Sequence, residues 1–112
     1  MDKDILRVLI VEDQNELVES WKRDVREFND KPDNSVYFEA IYSQNYDEAI
    51  LSLDKYQFDC AVTDLRIPQS DKNNDDAVAL GNDVAKHLLE YIGIPTIIYS
   101  GYVAETLSLI HI

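Results

Sequence analysis

The sequence is short of the features that would place it in several common classes. It has one cysteine, Cys60, so no internal disulfide can hold the chain together. With three Gly and three Pro in 112 residues, it is neither a collagen-like nor a low-complexity chain. Its two histidines, His87 and His111, lack partners at metal-ligand spacing. Basic residues are few: 10 Lys and Arg stand against 22 Asp and Glu, a formal net charge of -12, and they are scattered. Such a balance repels phosphate backbones and argues against a nucleic-acid surface. Long apolar runs are missing too. The stretch Ile5 to Val11 is broken by Arg7 and has no small-residue cleavage site after it, so it reads as neither signal peptide nor membrane span. A cytoplasmic protein is the expectation.

What is present suits one compact domain over residues 1–112, with 46% hydrophobic residues to build a core. RVLIV (7–11) is a short β-branched run ended by Glu12-Asp13, as for a strand buried on both faces of a parallel sheet. Leu17, Trp21, Val25 and Phe28 then recur at helical spacing, with charged residues between them, up to about Asn29. Turn chemistry at Lys31 to Asn34 precedes a second strand over Val36 to Ala40. Ser43 or Asn45 can cap a helix whose apolar face is Tyr46, Ala49, Ile50 and Leu53. FDCAVT (58–63) reads as a third strand, with Cys60 in its core, and it too is stopped by an aspartate, Asp64. Val84, Leu88, Leu89 and Ile92 predict a third helix, and Ile94 to Tyr99 a fourth strand. The tail from Tyr102 to Ile112 is compatible with a helix or, over LSLIHI, with a strand. Regular alternation of strand and helix predicts right-handed βαβ crossovers around a parallel sheet.

In open parallel sheets, ligands bind beyond the carboxyl ends of the strands. Here those ends carry Glu12-Asp13, Asp64 and Ser100-Gly101: three carboxylates and a hydroxyl at one edge. Clustered carboxylates repel one another unless a cation neutralises them, and hard oxygen ligands suit Mg²⁺. One such carboxylate can then act as a nucleophile toward a phosphoryl group, and Asp64 is the best placed. Each residue also has a plainer explanation. Glu12 and Asp13 suit the positive end of the first helix, Ser100 suits a strand-end turn, and Trp21 suits helix packing.

VLIVEDQ (8–14), FDCAVTDLRIP (58–68) and IPTIIYSGY (94–102) together resemble the signature stretches of response-regulator receiver domains of two-component signalling. The resemblance implies a flavodoxin-like three-layer domain with strand order 2-1-3-4. It also implies Mg²⁺ held by Asp13, Asp64 and the backbone carbonyl of Arg66, with Glu12 acting mainly through water. Asp64 would be the phosphoacceptor, Ser100 would hydrogen-bond the phosphoryl group, and Arg66 and Tyr102 would flank it. The implied partner is a histidine kinase or phosphotransfer protein. The domain would be a phosphoacceptor that switches a protein-interaction surface, and not an enzyme in the ordinary sense.

The sequence departs from that pattern in two places. Receivers end a fifth strand with a Lys that pairs with the phosphoryl group, and none of the chain's lysines falls there; a fifth strand and last helix would need on the order of 20 more residues. A domain truncated at its C-terminal end is the favoured explanation, and a degenerate pseudo-receiver that is not phosphorylated is the alternative. With the fifth strand missing, strand four would be an exposed edge open to homodimerisation or domain swapping. The second departure is a long polar connection over 69–80, bearing Asp71, Asp75 and Asp76 beside the expected pocket. A haloacid-dehalogenase-type phosphatase also has a nucleophilic Asp after a strand, but it carries a second Asp two positions on, where Arg66 stands here.

Overall fold

A computed structural model describes residues 3–70, 80–99 and 110–111. Within them the strands are β1 (Asp4–Val11), β2 (Val36–Ser43), β3 (Cys60–Asp64), β4 (Thr96–Tyr99) and β5 (Ile110–His111). The helices are α1 (Asn15–Asn29), α2 (Tyr46–Lys55) and α3 (Leu80–His87), the last continued by a wider π-helical turn over Leu88–Ile92. The sheet order is β2-β1-β3-β4-β5. The first four strands are parallel, and β5 is antiparallel to β4, pairing Ile97 with His111 and Ile98 with Ile110. The expected order 2-1-3-4 is therefore present. The tail adds a two-residue strand along β4, so among the described residues that edge is not bare at Ile97 and Ile98.

Both early strands run longer than their apolar runs. β1 begins at Asp4 because Arg7 does not end it: in register opposite Glu39 of β2, Arg7 forms an ion pair at 2.8 Å. Arg7 and Asp59 also exchange two hydrogen bonds. The Arg7 N–H donates to Asp59 Oδ2 and the Asp59 N–H to the Arg7 carbonyl, each at 2.8 Å, which aligns the start of β3 with β1.

Two-residue alternation divides the side chains between the faces of the sheet. Leu9, Val11 and Ala61 join Ala49 of α2, Val84 of α3, Leu88 of the π-helical turn, Phe58, Ile67 and Ile94 in the main core. Ile10, Val62 and Ile97, paired in register, alternate to the opposite face, where α1 lies with Val18 buried and Trp21 half-buried. Helix α1 packs chiefly toward β2, which leaves a groove of about 420 Å³ beside it, lined by Leu17, Ser20, Trp21, Asp24, Val62, Ile97 and Tyr99. This corrects the expectation for Cys60. It shares the parity of Val62, stands on the incompletely covered face and is half-buried, with burial still pushing its thiol pKa up.

Capping chemistry fixes α2. Asn45, not Ser43, is the cap: its Oδ1 accepts from the Glu48 N–H at 2.8 Å, and Glu48 Oε1 accepts from the Gln44 N–H at 3.0 Å. At the outer edge of β2, Asn29 from the end of α1 takes both backbone groups of Phe38, donating to its carbonyl at 2.9 Å and accepting from its N–H at 2.8 Å.

Candidate functional site

The parity that carries Ile10, Val62 and Ile97 to one face carries Glu12, Asp64 and Tyr99 to the same face, two residues further on, at the carboxyl ends of their strands. Asp64 and Tyr99 are paired directly in the register of β3 and β4. Carboxylate oxygens of Glu12, Asp13 and Asp64 all lie within 4.8 Å of one another. Glu12 and Asp64 are fully buried and Asp13 is half-buried. Three of the expected site residues are thus brought together. Ser100 lies outside the described residues, as do Gly101, Tyr102 and the acidic positions 71, 75 and 76 of the long connection.

Glu12 is held at both oxygens. Oε2 accepts from the backbone N–H of Gln14, at the cap position of α1, at 3.1 Å; Oε1 accepts from the Tyr99 hydroxyl. The bond to Gln14 bears out the helix-terminus explanation for Glu12, which leaves its carboxylate beside those of Asp13 and Asp64. Burial lifts its pKa from the ordinary 4.5 to about 7, and the charges of Asp64 and Asp13 push the same way, against the lowering effect of its two hydrogen bonds. The Tyr99 hydroxyl is pushed up by burial and by its bond to Glu12. Trp21 Nε1 donates to that hydroxyl at 3.2 Å, and the two rings meet edge to face with centroids 6.0 Å apart. A hydrogen-bonded chain thus runs from the groove beside α1 into the acidic cluster. By sequence Trp21 reads as a helix-packing residue and Tyr99 as the end of a strand; the signal that finds Tyr99 at the site is its strand parity with Ile97 and its register with Asp64.

The loop after Asp64 is anchored on every side. The Arg66 N–H donates to Asp64 Oδ1 at 3.3 Å and the Leu65 N–H to the Tyr99 carbonyl, while Thr63 Oγ1 donates to the Asp64 carbonyl at 3.0 Å. Further along, the carbonyls of Pro68 and Gln69 accept from the first N–H groups of α2, those of Tyr46 at 2.9 Å and Asp47 at 3.0 Å. From the other side Gly81 of α3 donates to the Leu65 carbonyl at 3.2 Å. The Arg66 side chain is exposed and its backbone lies beside the carboxylate.

Chemically, this donor set suits a hard divalent cation. It is all oxygen and like-charged, and Asp13 Oδ1 is buried with no hydrogen-bond partner among the described residues. No helix among the described residues is long and apolar enough to cross a membrane.

The flavodoxin-like, receiver-type fold is the class that this sheet order and these helices define. The chain is similar to RcsB from Salmonella enterica serovar Typhimurium, in a structure bound to promoter P1flhDC in the presence of the phosphomimetic BeF3-. The TM-score is 0.59 and the identity 15%, and the match covers 85% of this chain. It spans 41% of the length of that RcsB chain, and the likeness is one of fold. No protein-family profile matches the sequence, and no curated protein matches it.

Proposed function

We propose that the chain is a receiver-type signalling domain in which Asp64 accepts a phosphoryl group, with Mg²⁺ in the acidic pocket, and so changes a protein-interaction surface. The observation that supports this most is the convergence of Glu12, Asp13 and Asp64 at the carboxyl edge of a parallel sheet in a receiver-type fold. Asp13 and Asp64, with the Arg66 carbonyl, are the residues that would hold the cation, and Glu12 would act through water. Bound Mg²⁺ would neutralise the carboxylates and the oxygens of the incoming phosphoryl group.

The residues of the chain would do the rest. An Asp64 carboxylate oxygen attacks phosphorus as the bond from phosphorus to the donor's leaving group breaks, giving an acyl phosphate on Asp64. The Arg66 N–H holds the other side of that carboxylate in place, and Ser100 would donate to a phosphoryl oxygen. The donor would be the phosphohistidine of a histidine kinase or phosphotransfer protein. Intact-mass measurement after incubation with Mg²⁺ and a small phosphodonor tests the proposal. A gain of one phosphoryl group that is lost in Asp64→Asn is the expected result. No Asp64-dependent gain would defeat it and leave an interaction module of receiver shape.

A further inference from the structure

We infer that Tyr99 is a positioning residue that sets the ion selectivity of the acidic pocket, favouring Mg²⁺ over Ca²⁺ by withholding Glu12 from direct coordination. This rests on the proposal that Glu12, Asp13 and Asp64 form a cation site, and it adds what decides which cation.

Three carboxylates within 4.8 Å could all reach one ion. Glu12 is the one that is already engaged. The Tyr99 hydroxyl donates to its Oε1 and the Gln14 N–H to its Oε2, so the buried carboxylate is fixed by two donors on opposite oxygens. The Tyr99 hydroxyl is itself fixed, because Trp21 Nε1 donates to it and the Trp21 ring meets the Tyr99 ring edge to face. By contrast, Asp13 Oδ1 accepts nothing among the described residues. The inner coordination sphere is thereby limited to few protein oxygens.

Ion size makes that limit selective. Mg²⁺ requires near-octahedral geometry at about 2.0–2.1 Å and keeps several waters, whereas Ca²⁺ takes about 6–8 oxygens at about 2.3–2.6 Å in flexible geometry. A pocket with one carboxylate tied back suits the smaller, hydrated ion. Releasing Glu12 adds an inner ligand that Ca²⁺ can accommodate and Mg²⁺ can use only by giving up a water.

The test is calorimetric titration of the full chain with MgCl₂ and, separately, CaCl₂. Tyr99→Phe keeps the ring against Trp21 and removes only the hydroxyl. The expected result is a rise of about tenfold in the ratio of Ca²⁺ to Mg²⁺ affinity, reversed when Glu12→Gln is added to Tyr99→Phe. Equal weakening of both ions would mean that the hydroxyl only supports the fold, and would overturn the inference. Glu12→Gln alone supplies an independent arm should Tyr99→Phe fold poorly. With Glu12 outside the inner sphere it changes both affinities by a common factor, and a selective loss of Ca²⁺ affinity overturns the inference. If neither ion binds the unaltered chain, the cation-site reading itself fails and this one falls with it; binding of both with an unmoved ratio in Tyr99→Phe overturns the selectivity role alone.

Discussion

Gly81 of α3 packs against the backbone of Asp64 so closely that a Cβ at Gly81 would lie 1.7 Å from the Asp64 carbonyl oxygen and 3.0 Å from the Leu65 Cα. The nearest atoms are backbone, anchored on the far side by Thr63 and Tyr99, so they cannot yield as a flexible side chain would. Gly81→Ala is expected to push α3 off the backbone that carries Asp64, destabilising the fold by about 1–3 kcal/mol. A lower urea midpoint, together with weaker Mg²⁺ binding, would show both consequences; a fully stable variant with unaltered Mg²⁺ affinity would show that α3 does not brace that loop.

Glu12 makes stability depend on pH in an unusual direction for a carboxylate. In the unfolded chain it loses its proton near the ordinary 4.5, but burial, foremost, holds that proton in the fold until about 7. The folded state therefore binds more protons between those values, so this contribution to stability is fully present below 4.5 and is lost as pH rises through about 7. With divalent ions chelated, unfolding free energy should fall by roughly 1–3 kcal/mol between about pH 5 and about pH 8. Urea titrations at the two pH values measure it. Glu12→Gln should remove the slope, and saturating Mg²⁺ should flatten it, because the cation favours the ionised carboxylate.

Asn45 is almost fully buried and closes the N-terminus of α2, on which the loop after Asp64 rests through the Pro68 and Gln69 carbonyls. Asn45→Ala should cost about 1–2 kcal/mol. Asn45→Asp keeps the acceptor oxygen and should recover part of that loss. Thermal unfolding of the three proteins checks the order.

Trp21 is the sole tryptophan, and its indole N–H is tied to the hydroxyl that holds Glu12. Binding of Mg²⁺ should shift its emission intensity or maximum, and Tyr99→Phe should abolish most of that response while leaving binding measurable by calorimetry. An unchanged response in Tyr99→Phe would mean that the signal travels by another route.

Much of the arrangement was legible in the residues because it rests on local patterns. Uniformly apolar runs stopped by Glu12-Asp13 and Asp64 marked parallel strands whose ends converge, and helical spacing around Leu17 to Phe28 marked α1. The rest depends on relations between distant positions. Arg7 looked like a strand limit until Glu39 stood opposite it. Cys60 looked like core because its neighbours are apolar, but among the described residues α1 leaves its face of the sheet incompletely covered and Cys60 half-buried. The bond between Glu12 and Tyr99 joins positions whose meeting is set by register, and a single apolar run does not record register.

The side-chain amide of Asn29, by taking both backbone groups of Phe38, stands in for one rung of a neighbouring strand. A sheet grows by recruiting another chain along its outermost row of donors and acceptors, and here that row is interrupted near its middle by a group that cannot be extended. The end of α1 thus caps the edge of the sheet, and an incoming strand would have to displace Asn29 before it could pair continuously with β2.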